Sequence, residues 1–133
     1  MKTVRAVEEA LAKVIAGWAG MSMGTNFFRG QVPDGSLGAA LVLGAELPNE
    51  AGDPEIPHFA AQVVGKFAAT QRQAAQNLLD VLRTNLPTFG ATQDGIIFPV
   101  LLKRGEGAIV QDQDDANKVW RIFYNLQVRF RDE

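Results

Sequence analysis

Between positions 120 and 130 the apolar residues Trp120, Ile122, Tyr124, Leu126, Val128 and Phe130 alternate with Arg121, Phe123, Asn125, Gln127 and Arg129. Side chains on a β-strand point to opposite faces in turn, whereas helical neighbours recur every three or four positions, so only a strand satisfies this pattern. The run therefore predicts one long strand over 118–129 with a core face and a mostly polar face. Such a strand needs hydrogen-bonded neighbours and a cover for its apolar side, and the rest of the chain supplies both.

Two segments carry the helical period instead. Val4, Val7, Leu11, Val14, Ile15 and Trp18 form one stripe, with Thr3 placed to cap the start and Gly17 or Gly20 to end it, which predicts a helix over 3–18. Ala74, Ala75, Leu78, Val81, Leu82 and Leu86 form the second stripe, predicting a helix over about 68–84 that begins near Thr70 and stops before Pro87.

Further strands are expected over 26–32, 37–46, 58–67, 95–103 and 108–111. The Pro33-Asp34-Gly35-Ser36 turn suggests that the first two form a hairpin, since the connection is short for a parallel crossover. In the 58–67 strand Phe59, Ala61, Val63, Gly65 and Phe67 share a face. Three prolines make 47–57 an exposed loop. Together these elements predict an α+β fold, an antiparallel or mixed β-sheet with two α-helices packed on one face, in a single domain over 1–133. Phe27 and Phe28, Ile97 and Phe98, and Phe123 make the second face partly apolar too, which suggests that another element or subunit covers some of it.

Composition narrows the function classes. With 133 residues the chain can fold without staples, and the absence of cysteine removes disulfides and thiolate metal sites. A net charge of −2 gives no reason to expect a general nucleic-acid binder. The apolar run 37–45 is about half the length of a membrane span, and charges interrupt the N-terminal segment, so a soluble protein made in the cytoplasm is expected.

No constellation nominates a reaction. His58 is the sole histidine and has neither a cysteine nor a second histidine to work with, so it reads as a strand-start residue. Asp112, Asp114 and Asp115 begin like a calcium loop, but no glycine occupies the sixth position and Phe123 stands where the bidentate glutamate belongs, so they read as a solvated turn. Gly105-Glu106-Gly107 lacks the Gly-Lys-Ser/Thr ending of a phosphate loop, and Ser22 and Ser36 lack a nucleophile context. No catalytic residue, cofactor or metal is expected. Lys103, Arg104, Arg121, Arg129 and Arg131 could gather if the last strands pair, forming a positive patch for a partner or for passing DNA.

The N-terminal helix leading into Asn26-Phe27-Phe28-Arg29-Gly30, the proline-rich loop before the 58–67 strand, the central helix and the closing 120–130 strand resemble the tail terminator or tail-completion proteins of long-tailed bacteriophages. Related minor capsid and neck proteins and their gene-transfer-agent counterparts belong to the same group. The resemblance implies a virion protein forming a ring, commonly a hexamer, that caps the tail tube, joins it to the head and surrounds the DNA channel. Its implied partners are copies of itself, the tail tube protein and head-tail connector proteins, with DNA only passing through and no membrane. Members share no catalytic residues.

A closed ring requires two different patches on each subunit. The 47–57 loop and the 105–115 region are candidates for these, with Arg121, Arg129 and Arg131 as contacts to a partner or to DNA. The alternatives are another head-tail connector, minor capsid or tail tube subunit, and a small-molecule-binding domain for which no converging polar groups stand out.

Overall fold

The computed structural model describes residues 3–47, 58–111 and 118–132. Residues 48–57 of the expected 47–57 loop, and the acidic segment at Asp112, Asp114 and Asp115, lie outside the described residues. Two helices and seven strands follow one another as α1 (Val4–Ala19), β1 (Phe27–Arg29), β2 (Gly38–Glu46), β3 (His58–Phe67), α2 (Arg72–Asn85), β4 (Ala91–Gln93), β5 (Ile96–Lys103), β6 (Ala108–Gln111) and β7 (Trp120–Asp132).

Local chemistry sets the ends of α1. Thr3 Oγ1 accepts the Ala6 N–H at 3.1 Å, which satisfies one of the donors a helix start leaves open. At the far end Gly20 adopts the left-handed conformation and returns its N–H toward Ala16 and Gly17. Gly17 stays inside the helix. Val7, Leu11 and Ile15 are fully buried at the expected spacing.

The second helix begins later than the sequence suggests. Residues 68–71 form a turn in which the Gln71 N–H reaches the Ala68 carbonyl at 2.8 Å, and Thr70 caps nothing. Trp120 explains the delay: its indole N–H donates to the Ala69 carbonyl at 3.0 Å, and its ring lies under the Arg72 guanidinium at 5.3 Å. That carbonyl and the start of the helix are thereby tied to β7.

The sheet runs in the order β1-β2-β3-β7-β5-β4, with β6 pairing beside β5 on the same flank of β7. β7 is its spine. On one side it pairs antiparallel with all of β3, from His58 opposite Arg129 to Phe67 opposite Trp120. On the other it takes β6 along its first part and β5 along its second. Tyr124, Leu126, Val128 and Ile122 are completely buried, so the alternation read from the sequence corresponds to the real core face.

Two expectations are corrected. β1 pairs with β2 in parallel, Phe27 opposite Ala39 and Arg29 opposite Leu41, and does not form a hairpin. The length rule against short crossovers assumes full strands, but β1 spans only three residues, so the 30–37 loop has to travel back by only about 10 Å. Gly30, Gly35 and Gly38 supply the positive φ angles for that return. In addition, β4 is a strand the sequence reading does not include; it forms a hairpin with β5 through Asp94 and Gly95, both at positive φ.

Both helices pack on one face, and the sheet curls around them. α1 touches β1 and β2 at one end of the strand order and β4 at the other. Glu8 and Lys13 make both ties: Glu8 reaches Arg29 on β1, and Lys13 donates to Asp94 in the β4–β5 turn at 2.8 Å. Five residues on a helix turn through about 140°, so the two side chains leave α1 on different sides, one toward each edge.

Candidate functional site

The structure presents three surfaces with functional potential: the outer face of the sheet, a groove between the helices, and a protruding loop after α2.

Alternate residues of β7, from Arg121 to Arg131, point to the outer face, away from both helices. The 30–37 loop crosses part of this face, where Val32 and Asp34 line a small cleft of about 170 Å³ with Val64, Lys66, Arg121 and Phe123. Ala40 is completely buried although it points outward. The expectation that some of the second face is covered is thus met locally by the chain itself. Phe123 at 40% and Val110 at 50% remain exposed beyond that loop.

The five basic residues do not form one patch. Arg121 sits opposite Lys66 near one end of β7, whereas Arg129 sits opposite His58. Eight residues of strand separate the two arginines, about 26 Å. Arg129 and Arg131 lie two positions apart on one face, while Lys103 pairs with Glu106 at 3.9 Å in the turn between β5 and β6. His58 is buried, and its Nδ1 lies 2.5 Å from Gln127 Nε2, so it is built into the β3–β7 pair.

The groove, of about 480 Å³, lies where the end of α1 meets α2 and the start of β2. Leu37, Phe67, Leu78 and Val81 contribute apolar surface, and Asn26, Gln71 and Asn77 form polar parts of the wall. These polar groups are already engaged locally. Asn26 Oδ1 accepts the Ser22 N–H, Gln71 Oε1 accepts the Ala68 N–H, and Asn77 Oδ1 accepts from Gln73. Among the described residues, none that lines the groove is charged. It therefore offers apolar area without converging polar groups, which suits a protein side chain better than a polar metabolite.

The loop after α2 carries Phe89, whose 68% exposure is the highest among the large apolar residues described. The positions beside it are fixed. Thr88 and Leu101 exchange backbone hydrogen bonds at 3.0 and 2.9 Å, and the Gly90 N–H donates to the Phe98 carbonyl at 3.0 Å. Sequence periodicity could not reveal this knob, but one signal was present: residues 84–93 contain no charge in a chain that is 21% charged.

Tyr124 is the remaining unusual group. Its ring is completely buried, and among the described residues its hydroxyl has no hydrogen-bond partner. Burial pushes its pKa above the usual tyrosine value, the Glu106 carboxylate adds to this, and Arg83 opposes it. Gly107 packs so tightly here that a Cβ would lie 2.5 Å from Tyr124 Cδ2. Among the described residues no group of three or more His, Cys, Asp or Glu side chains is placed to hold a metal ion, and no helix is long and apolar enough to cross a membrane.

Curled sheet, paired helices and short edge strands define a compact α+β architecture that has a counterpart among solved structures. A chain from the virion of a native gene transfer agent particle superimposes with a TM-score of 0.58 at 16% sequence identity, covering 97% of this chain and 98% of that chain. The two share a fold from end to end. No protein-family model matches the sequence, and no curated protein matches it.

Proposed function

We propose that this chain is a structural virion protein of a phage or phage-like particle, and within that class a tail terminator: a subunit of a homo-oligomeric ring, a hexamer, that caps the tail tube and joins it to the head. The observation that carries the reading is the nearly complete, two-way fold match to a chain of the gene transfer agent virion. The match spans nearly the whole of both chains, so the likeness is one of the whole fold and not of a single motif.

The surface chemistry agrees with assembly. Exposed aromatic and aliphatic residues at Phe89, Phe123 and Val110, on three separate elements, are suited to burial against neighbouring subunits. Arg121, Arg129 and Arg131 lie on the face left free by the helices and, in this reading, contact the tube, the connector or DNA in the channel. The reading assigns the chain no reaction and no cofactor.

Deleting the gene tests the role. Loss of a terminator leaves heads detached and tubes of uncontrolled length. Normal-length tails that fail to join heads would instead favour a connector, the second reading, and the absence of tubes would favour a tube subunit.

A further inference from the structure

We infer that the Phe89 loop of one copy seats in the α1–α2 groove of the next, so that neighbouring subunits meet head to tail as a knob in a hole. The inference rests on the ring-forming reading above and adds to it the two patches that touch.

Three observations converge on this pairing. First, Phe89 projects from a loop whose flanking residues are hydrogen-bonded to β5 on both sides. An exposed aromatic held on a rigid base loses little conformational freedom on docking, which is what an interface anchor requires. Second, the two surfaces match in charge. Residues 84–93 carry none, and neither does the lining of the groove, so pressing them together desolvates no ion. The amide oxygens of Asn26, Gln71 and Asn77 keep their local hydrogen bonds when an apolar guest enters.

Third, knob and groove are distinct patches, since none of residues 84–93 is among those lining the groove. The groove is lined by Gln71, Ala74, Leu78 and Val81, whereas the knob follows Asn85. The knob does not occupy its own groove, and a contact between unlike patches propagates from copy to copy until rotation closes it. A groove of about 480 Å³ accommodates a phenylalanine side chain together with part of its loop.

The absence of natural cysteine makes the test clean. Thr92→Cys, which leaves the Phe89 ring in place, and Ala74→Cys, both at exposed positions, are made as separate full-length variants, mixed and mildly oxidised, with Val110→Cys replacing Thr92→Cys as the positional control. The expected result is a mixed Thr92→Cys/Ala74→Cys disulfide in at least about tenfold excess over the control pair. The double variant then gives a ladder of dimers, trimers and higher species. A link within one subunit gives a monomer band and no ladder, so it is told apart from links between copies.

A ladder that stops at dimers would overturn the head-to-tail arrangement. Without a mixed disulfide in a protein that sedimentation shows to self-associate, the knob-in-groove contact fails while the ring reading survives. Absence of both the disulfide and self-association on tail tubes would remove both.

Discussion

Glu8 and Arg29 meet at 2.8 Å, and the second carboxylate oxygen of Glu8 accepts the Leu43 backbone N–H at the same distance. β1 ends opposite Leu41, so Leu43 is where the edge of β2 would otherwise offer an unpaired donor. A helix carboxylate thus continues the hydrogen bonding that a three-residue strand cannot, and a half-buried arginine on that strand balances its charge. Exposed strand edges invite pairing with other chains, and this arrangement closes one.

Glu8→Ala is expected to destabilise the protein by about 2–3 kcal/mol, because it strands a buried N–H and leaves a partly buried guanidinium without its carboxylate. Urea unfolding measures this. Arg29→Met should cost less, and the double variant should cost less than the sum of the singles, since the two side chains act as one unit.

Tyr124→Phe is expected to leave the fold intact and to stabilise it by up to about 1 kcal/mol at neutral pH, because it removes a buried hydroxyl with no partner. The pH dependence carries a definite sign. Folding favours the neutral phenol, so this contribution is complete below the unfolded value of 10.0 and is lost as pH rises through the higher folded value. The wild type should therefore lose stability above about pH 10 faster than Tyr124→Phe does. As the chain has only one tyrosine, absorbance titration reads the group directly and should place its folded pKa above the usual tyrosine value.

Gly38 is expected to tolerate no side chain. Its φ is 134°, and a Cβ would lie 2.2 Å from the Asn26 carbonyl oxygen, the atom that accepts the Ala39 N–H. Gly38→Ala should cost about 3 kcal/mol or more by forcing β1 away from β2. Gly17→Ala is the matched control: it lies inside α1 with open space around it, and should stabilise by about 0.5–1 kcal/mol. Thermal unfolding of the pair checks both signs.

What the sequence disclosed follows from which forces are local. The Trp120–Phe130 alternation, the Thr3 cap and the two apolar helix stripes each depend on spacing within one element, and the structure matches them except at Val4 and Ala74, which are exposed. In the sequence Glu8 is one of several charges that interrupt the N-terminal segment; only the folded sheet reveals that it faces an edge N–H 35 positions away. The parallel pairing of β1 was hidden because chain length alone does not say how short a strand is. β4 carried a legible Asp94-Gly95 turn, but its own three residues are too few to show a period. Arg121, Arg129 and Arg131 share a face, as period two requires, yet position along the strand separates the first from the others. The groove and the Phe89 knob depend on elements distant in sequence and left no periodic trace.

Electron cryo-microscopy of the intact particle that carries this protein tests the central claim most directly. The account predicts a closed ring of copies between head and tail tube, with each Phe89 loop meeting the α1–α2 groove of its neighbour. Copies dispersed elsewhere in the particle, or a particle that lacks the chain altogether, would contradict it.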